Sequence, residues 1–260
     1  MQTLLGIMQS VPQIEPITDD EFERKQMEWK NSIQGNLEGY DCQECLNRGY
    51  SFVGENVVRN CKCMEVRRSM NLIEKSGLKP LMKRYTFDKY ITHEAWQQTV
   101  KESAQRFLKD PDACFFGIFG QTGSGKTHLC TAIASSYLNE RIPVCYMLWC
   151  ADSKKLKATV NDGELHDQEI KRLQNTDVLY IDDLFKCKYG SEPSDADVRL
   201  AFEIINTRYN AQLTTLISSE FTIDNLYGID AAIAGRIREM CGSYLWNIKR
   251  SDSRNYRLKS

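Results

Sequence analysis

Residues 115–127, with the sequence FFGIFGQTGSGKT, fill every fixed position of the phosphate-binding pattern G-x-x-x-x-G-K-[ST]. Glycines at these positions let backbone N–H groups surround a polyphosphate closely, where side chains would block its approach. An apolar, strand-like run precedes the loop and a helix-like segment follows it, as this motif requires. A chance glycine-rich turn beside a lysine is the alternative. The pattern predicts an ATP-phosphate site formed by Gly120, Gln121, Thr122, Gly123, Ser124, Gly125, Lys126, Thr127 and His128.

Four of the predicted site residues would carry the charge and metal chemistry. We expect Lys126 to neutralise β- and γ-phosphate oxygens and the Thr127 hydroxyl to ligate magnesium. The apolar segment DVLYIDD ends in Asp182 and Asp183, about 56 residues after Lys126, where this fold class holds magnesium. Asp182 would hold the ion, usually through water, and Asp183 would orient or deprotonate the attacking water. An Asp pair also occurs in ordinary turns, so this pair indicates a magnesium site only in combination with the phosphate loop.

Two further residues are candidates for contacting the transferring phosphoryl group. The strand-like run 214–218 leads into Ser219 and Glu220, and in ring-forming ATPases a polar residue here contacts the γ-phosphate or the water. Ser219 is the candidate, against the alternative of a plain serine at a strand end. The helical segment IDAAIAGRIREM carries Arg236 and Arg238, and an arginine stabilises phosphoryl charge, often from a neighbouring subunit. A solvated arginine on a surface helix is the alternative.

A second kind of chemistry is indicated by four clustered cysteines, Cys42, Cys45, Cys61 and Cys63. A C-x-x-C pair and a C-x-C pair flank a hairpin-like segment around Gly54, so four thiolates would close a tetrahedral zinc site. Metal binding would supply folding free energy that so short a segment cannot obtain from a core. A redox-active C-x-x-C is the alternative, but it lacks the strand–helix setting. The remaining cysteines are scattered, mostly in apolar context, and are expected to be thiols: Cys114, Cys130, Cys145, Cys150, Cys187 and Cys241.

Composition limits the class of protein and its location. The chain has 260 residues, is 42% hydrophobic and carries a net charge of −1, enough for one large domain and a small one. No apolar run approaches the roughly 20 residues of a membrane span. The N-terminus has no basic, apolar leader. We therefore expect a cytoplasmic protein without a membrane partner. Residues 1–58 contain four Lys/Arg and ten Asp/Glu, whereas residues 59–89 contain nine and three, which suggests two different partners or two solvated faces.

The elements that must position these residues can be predicted in order. Residues 1–17 are expected to be a flexible arm. A capping box at Thr18 and Glu21 predicts an amphipathic helix with Phe22, Trp29 and Ile33 near one face, ended by Gly35 and Gly39. A basic connector, residues 64–84, is expected to be broken by Gly77 and Pro80. A helix over 94–109 precedes the loop, and the runs VCYML, DVLYIDD, LTTLISS and YLWNIK predict a largely parallel sheet between helices.

With these motifs in place, the chain resembles the DnaC/DnaI-type helicase loaders, particularly phage and Gram-positive forms, and is similar to the IstB transposition ATPase. The resemblance covers about residues 40–260. It rests on the cysteine knuckle, LMKRYTFDKY, GQTGSGKT, VLYIDDLF, TTLISSEFT, AAIAGRIREM and a final NYRLK in that order. It implies an α/β AAA+ P-loop core preceded by a four-cysteine zinc module. The corresponding divisions are an arm and helix (1–39), the zinc module (40–66), the basic connector (67–84) and the ATPase domain (85–260).

The resemblance also implies a function. Such a protein binds ATP and magnesium, assembles side by side into a homo-oligomer, and delivers a DnaB-type replicative helicase onto single-stranded DNA. Arg236 would match the arginine finger that acts in trans. The N-terminal helix and zinc module would contact the helicase. Basic residues of the core would contact single-stranded DNA, with Lys154, Lys155 and Lys157 as candidates.

Two positions depart from the family pattern and three other functions stay open. The second acid is Asp183 rather than Glu, which predicts slow hydrolysis, and Glu220 stands where the family often has Asn. A carboxylate facing phosphate would be repelled, so Ser219 would substitute or the sensor would be missing. The alternatives are a transposition or initiator-like DNA-remodelling ATPase, a P-loop kinase with a small-molecule acceptor, and a zinc-dependent DNA adaptor whose ATP site is structural.

Overall fold

The computed structural model describes residues 18–75, 78–160, 162–187 and 191–256. The chain divides between Met64 and Glu65 into two compact units, residues 1–64 and 65–260. By comparison, the sequence suggests an end of the zinc module at residue 66 and a separate connector over 67–84. The predicted arm, residues 1–17, and the predicted break at Gly77 lie outside the described residues.

The first unit contains one helix and one hairpin. Helix α1 spans Asp19–Ser32 and begins as predicted at Thr18, whose hydroxyl accepts a hydrogen bond from the Glu21 N–H at 3.3 Å. The helix ends at Ser32, before either of the glycines expected to end it, because Ile33 is already extended. Strands β1 (Tyr50–Phe52) and β2 (Val58–Asn60) form the predicted antiparallel hairpin.

Polar groups at the end of α1 attach the helix to this hairpin. The Asn31 side chain exchanges two hydrogen bonds with the Phe52 backbone, at 2.9 and 3.0 Å. The Arg48 guanidinium donates to the Asn31 carbonyl at 2.9 Å. The predicted apolar face of α1 does not pack against the hairpin, because its side chains stay exposed: Phe22 by 59%, Trp29 by 64% and Ile33 by 47%.

The second unit is built on a parallel five-stranded sheet with the strand order β4-β5-β6-β3-β7. The strands are β3 (Phe115–Gly120), β4 (Val144–Leu148), β5 (Val178–Asp182), β6 (Thr214–Ser219) and β7 (Leu245–Ile248). All of the strand pairs within it are parallel, which confirms the predicted architecture. Strands β3 and β5 are buried along their whole length, as expected for strands covered on both faces.

Helices cover both faces of this sheet. The helices described after the first unit's α1 are α2 (Cys63–Lys75, which begins in the first unit), α3 (Leu78–Arg84), α4 (Ala95–Phe107), α5 (Lys126–Asn139), α6 (Trp149–Ala158), α7 (Gly163–Asn175), α8 (Asp195–Asn210), α9 (Ile223–Ile229) and α10 (Ala231–Cys241). Alternate strand residues face opposite layers: Phe115 joins the main core cluster with residues of α7, α8 and α10, whereas the Phe116 ring lies 5.5 Å from Phe107 of α4. Among the described residues, no helix is both long and apolar enough to cross a membrane.

Two details of the helices differ from the sequence expectation. Pro80 does not break the chain, because it lies in the first turn of α3, where the helix needs no N–H from it. Helix α4 is two residues shorter at its end than the predicted 94–109 and begins after Glu94, which forms a reciprocal capping box with Gln97.

Candidate active site

The phosphate loop connects the end of β3 to the start of α5, as the sequence predicts. Gly120 has φ +101° and Gly125 has φ +90°, values that L side chains rarely adopt. A Cβ on Gly120 would stand 2.3 Å from the Ile248 carbonyl oxygen, and one on Gly125 would stand 2.9 Å from the Tyr90 ring. These two positions therefore require glycine, and the loop ends at a helix N-terminus that favours an anion.

Lys126 occupies the first turn of α5 and points back into the loop. Its ammonium donates to the carbonyl oxygens of Gly120 and Gln121, each at 2.8 Å, and the residue is 5% exposed. Burial lowers the pKa of Lys126 to about 8, although Asp183 and Glu220 act in the opposite direction. A buried ammonium with so little compensating charge is well suited to receive a phosphate oxygen.

The magnesium pair is adjacent in space. Thr127 donates from Oγ1 to Asp182 Oδ1 at 3.1 Å, although 55 residues separate the two in the chain. Asp182 also accepts from Ser218 Oγ at 2.5 Å and from the Tyr146 hydroxyl at 3.1 Å. Burial raises the pKa of Asp182, against the hydrogen bond from Ser218. A hydroxyl beside a buried, poorly compensated carboxylate is a hard-oxygen donor set that fits magnesium.

Asp183 follows at the mouth of the same strand and lines the cavity above the loop. Its backbone N–H donates to Ser218 Oγ at 2.9 Å, and its carboxylate lies 2.7 Å from the Lys186 ammonium. Lys186 also lies 3.0 Å from Glu220 Oε1. Asp183 is therefore placed beside the phosphate site, but it is ion-paired there.

Ser219 is not placed at the cavity. Its side chain is fully buried, and its hydroxyl donates to the Leu184 carbonyl at 2.8 Å and accepts from the Phe221 N–H at 3.2 Å. Glu220, the next residue, lines the cavity instead. The role of Ser219 in this arrangement is to hold the loop that follows β5, so the proposed phosphate contact at this position has no support from the geometry.

Arg236 lies on α10 and outside the cavity. Its guanidinium donates to the Ala232 carbonyl at 3.0 Å and stands 5.1 Å from the Phe202 ring and 5.5 Å from the Tyr209 ring, both on α8. The structure therefore brings together Lys126, Thr127, the two aspartates and the loop, and keeps Arg236 apart from them. A position away from the site of its own copy is what a residue acting in trans requires.

The cavity has an aromatic half that the sequence did not predict. Its volume is about 280 Å³, and besides the loop and the acids it is lined by Tyr85, Lys89, Tyr90, Ile91 and Tyr256. The His128 ring stacks on Tyr85 at 4.7 Å and meets the edge of Tyr90 at 5.2 Å. Aromatic faces beside a phosphate loop suit a nucleobase. The tyrosine-rich segment YTFDKY, residues 85–90, is the feature of the sequence that indicates this half of the cavity.

Two polar features of this half fit a bound nucleotide. The Tyr90 hydroxyl is buried and has no hydrogen-bond partner among the described residues, so a ligand atom could satisfy it. The Tyr256 N–H donates to the Gly123 carbonyl at 2.9 Å, and the Tyr256 hydroxyl donates to the Ile91 carbonyl at 3.1 Å. The segment that contains Tyr256 thus joins the phosphate loop to the aromatic half of the cavity.

The four clustered cysteines of the first unit come together as predicted. Their sulfur atoms lie within 4.8 Å of one another, and all four residues are buried. The Cys42–Cys61 sulfurs are 3.8 Å apart and the Cys45–Cys63 sulfurs 3.5 Å, close to the separation of about 3.8 Å expected for tetrahedral zinc with Zn–S bonds of about 2.3 Å. Although burial opposes it, the N–H of Gly49 and the neighbouring thiols lower the pKa of Cys45 to about 7. The donor set fits zinc.

Comparison with known proteins identifies the family. Residues 47–234 match the IstB-like ATP binding protein family. The phage-like element PBSX protein XkdC of Bacillus subtilis (strain 168) is 33% identical over 224 residues, which are 81% of this chain and 83% of that protein. The uncharacterised protein YqaM of the same organism is 31% identical over 72% of this chain and 62% of its own length.

Solved structures show the same fold at lower identity. The DnaC helicase loader has a TM-score of 0.51 and 24% identity, covering 65% of this chain and 98% of that one. DnaI has a TM-score of 0.53 and 20% identity, covering 65% and 92%. AMPPCP-bound DnaA from Aquifex aeolicus has a TM-score of 0.54 and 20% identity, covering 67% of this chain but 52% of that one. From the family match, the shared fold and the phosphate-loop geometry, we conclude that the chain belongs to the IstB-like ATP-binding protein family and is an AAA+ P-loop ATPase related in fold to DnaC and DnaI.

Proposed function

We propose that this ATPase loads a hexameric, DnaB-type replicative helicase onto single-stranded DNA. The observation that supports this most is the extent of the likeness. The chain spans 98% of the solved DnaC loader and 92% of DnaI, but about half of DnaA. The aligned part is 65% of this chain in both comparisons, and a chain that shares this fold with the DnaC loader is expected to share the loader's task.

ATP would bind on the loop with its base toward the aromatic half of the cavity. Lys126 would turn from the carbonyls of Gly120 and Gln121 toward phosphate oxygens. Magnesium, held by Thr127 and Asp182, would offset the phosphate charge. Asp183 would orient the attacking water and accept its proton.

Arg236 would act on ATP bound by a neighbouring copy. Its position outside its own cavity and its place between two exposed or half-buried aromatic rings leave it near the protein surface. In a side-by-side assembly, an arginine from the next copy would report ATP at the interface and stabilise the phosphoryl charge. ATP would then act as the signal for assembly, and hydrolysis or helicase contact as the signal for release.

The first unit would hold zinc through its four cysteines and contact the helicase. Its exposed apolar side chains include those of α1 and of the hairpin tip, where Val53 is 47% and Val57 59% exposed. Exposed apolar groups of this kind are typical of contact surfaces, and Trp29 is the largest of them. The net negative charge of residues 1–58 would set the sign of the partner surface.

Single-stranded DNA would contact the basic residues that follow β4. Lys154 is exposed, whereas Lys155 pairs with Asp152 at 2.9 Å and Lys157 with Asp197 at 2.6 Å. Of the three, Lys157 is the least available to DNA, because its partner Asp197 also forms the N-terminal capping box of α8. Lys154 is therefore the first residue to substitute in a DNA-binding test.

The helicase proposal is tested by measuring the native mass of the full-length protein mixed with its host's replicative helicase, with and without ATP and magnesium. We expect a complex, and we expect Trp29→Ala to weaken it at least tenfold without changing ATP affinity. Tyr227→Ala, which removes an aromatic residue that is 37% exposed, against 64% for Trp29, from the ATPase unit, is the control. Absence of any complex with metal-loaded wild-type protein would contradict the proposal.

A DNA-remodelling ATPase for transposition is the second candidate, favoured by the family match over residues 47–234. This candidate differs from a helicase loader in its binding partner, which would be duplex DNA or a transposase. Titration of single-stranded and duplex DNA at one fixed salt concentration separates the two, because phosphate contacts make both affinities salt-dependent. An ATP-dependent preference for the duplex would favour the second candidate.

A further inference from the structure

Lys186 is a cation on the cavity wall to which neither the sequence motifs nor the proposed loading function gives a role. Its ammonium lies 2.7 Å from Asp183 Oδ2 and 3.0 Å from Glu220 Oε1, and all three side chains line the same cavity as Lys126. Its side chain is 37% exposed, so the ion pairs are reached from the cavity rather than sealed in the core.

The backbone holds Lys186 in this position by several independent contacts. Asp183 and Phe185 have φ +57° and +61°, a left-handed conformation that is costly for side chains other than glycine. The turn between them is fixed because the Leu184 N–H donates to the Ser218 carbonyl at 2.8 Å and the Lys186 N–H donates to the Asp183 carbonyl at 2.9 Å. Leu184 and Phe185 are fully buried. Such strain persists where surrounding contacts over-determine it, and it is concentrated at functional sites.

The charges around Lys186 explain how Glu220 can stand beside a phosphate. A carboxylate alone would repel the γ-phosphate, but Glu220 accepts from Lys186, and Thr122 of the phosphate loop also bonds to it. The ammonium thus offsets part of the negative charge that Asp183 and Glu220 would present to the nucleotide. Three lysines line the cavity: Lys126 belongs to the phosphate loop, Lys89 donates to the Lys83 carbonyl at 2.8 Å, and Lys186 pairs with the two acids.

We propose that Lys186 is a γ-phosphate-contacting residue: its ammonium exchanges the Asp183 carboxylate for a γ-phosphate oxygen when ATP binds, while Glu220 is the positioning residue that keeps it within reach. Without a γ-phosphate, the Asp183 carboxylate is held in the ion pair with Lys186. With ATP, Asp183 is released to accept the proton of the water whose oxygen bonds to the γ-phosphorus as the bond to ADP breaks. The pair thus distinguishes ATP from ADP within one copy of the chain.

The test compares the affinities for ATP and ADP, each with magnesium, of the full-length wild-type protein and of Lys186→Met, Lys186→Arg and Glu220→Gln. For Lys186→Met we expect ATP to bind about tenfold more weakly, equal to about 1.4 kcal/mol, and ADP affinity to stay within about twofold. Lys186→Arg should keep most of the preference for ATP, and Glu220→Gln should lose about threefold of it. The control is Lys79→Met, which breaks a pair of 2.8 Å between Lys79 of α3 and Glu74 of α2, neither of which lines the cavity.

The ratio of the two affinities separates this role from a structural one. Equal losses for ATP and ADP in Lys186→Met would mean that the residue only supports the loop, and this would overturn the proposal. Unchanged ATP affinity would overturn it as well. Should Lys186→Met fail to fold by its melting curve, Glu220→Gln decides, because it leaves the lysine in place and is expected to lower only the ATP affinity. None of these measurements uses a helicase or DNA, so they do not depend on which partner the ATPase serves.

Discussion

The two units of this protein relate their sites to their folds in opposite ways. Among residues 18–64, the buried hydrophobic side chains are the four cysteines alone, and α1 buries none of its residues. In the second unit, a core of aliphatic and aromatic side chains fills both faces of the sheet, and the phosphate loop lies at its edge. In the first unit the site is the core, whereas in the second the core supports the site.

This difference predicts how each unit responds to loss of its ligand. A segment that buries only four sulfur atoms cannot offset its conformational entropy by apolar burial, so metal binding must provide the folding free energy. The second unit can fold without nucleotide, and its site is free to store unfavourable features, such as the buried Lys126 and Asp182. The four-sulfur site also has no open coordination position, whereas the cavity of the second unit is open to exchange of ATP and ADP.

The largest expected effect comes from Cys45→Ser. Losing one of four thiolates should abolish zinc retention and unfold residues 18–64, because structural zinc contributes on the order of 10 kcal/mol or more in small zinc peptides. ATP affinity should be unchanged. Zinc content by mass spectrometry and hydrogen exchange along the chain measure both parts.

The matched control is Cys150→Ser, a half-buried cysteine on α6 outside the cluster, which should keep the metal and the exchange pattern. If Cys45→Ser also lowered ATP affinity, the two units would not be independent and the contrast between them would fail. Retention of one zinc per chain by the variant would contradict the four-thiolate assignment.

Asp182→Asn is expected to have the next largest effect. It tests whether the buried charge of the ATP site lowers the stability of the folded protein. The amide keeps one acceptor oxygen, which can serve Ser218 or Tyr146 but not both, because these two donate to different carboxylate oxygens. It loses the charge that would hold magnesium, so turnover should fall by at least about a hundredfold. Because burial raises the pKa of Asp182, the charged form is disfavoured in the folded state. The nucleotide-free variant should therefore melt at a higher temperature than wild type at neutral pH.

Leu179→Ala on the same strand is the contrasting variant, since it removes a fully buried side chain from the core rather than a charge from the site. It should lower the melting temperature by creating a cavity. A lower melting temperature for Asp182→Asn would mean that the aspartate supports the fold, and the distinction between site and core in this unit would be lost.

Arg236→Ala is expected to have a smaller effect, which requires contact between copies of the chain. A sample that contains only this variant should bind ATP like wild type and turn it over about ten- to a hundredfold more slowly if the arginine acts in trans. Mixing it with Lys126→Ala, which provides Arg236 but cannot bind ATP, should restore part of the turnover. Arg238→Ala, on the exposed side of α10, is the control. No recovery in the mixture would contradict action between copies.

The sequence predicted the parts of the fold that follow from local patterns. Each predicted run of apolar residues became a strand of the parallel sheet, and the phosphate loop with its two aspartates came together as expected. The four cysteines did so as well, because their spacing and chemistry allow few other arrangements.

The parts that were missed depend on register and on long-range contacts. Near the end of β6, Ser218 and Ser219 point to opposite faces of a sheet that is buried on both, so small side chains give no sign of which one faces the cavity, and Glu220 is the residue that does. Tyr85 and Tyr256 both line the aromatic half of the cavity. A local sequence pattern cannot predict that two residues so far apart in the chain share one site. The rule that proline interrupts a helix does not hold at Pro80, because this residue lies in the first turn of α3, where no N–H is needed.

The smallest expected effect is a pH dependence carried by His128 in the second unit. Its Nε2 lies 2.9 Å from the Thr86 carbonyl oxygen, so this nitrogen carries a proton and donates. Burial lowers the pKa of His128 despite that bond. Between the lowered pKa and the unfolded value of about 6.5, the unfolded chain binds more protons than the folded one, so stability rises with pH in this window. The contribution is complete above about pH 6.5 and is lost as the pH falls through the folded-state pKa.

His128→Gln isolates this contribution, because the amide can still donate to Thr86 but does not titrate in this range. Between pH 7.5 and pH 5, the nucleotide-free wild-type protein should lose more thermal stability than His128→Gln. His93→Gln, at an exposed position before α4, should follow wild type. An equal loss of thermal stability with falling pH in wild type and His128→Gln would contradict this prediction. It would show that the aromatic half of the cavity accepts a charged imidazole without cost.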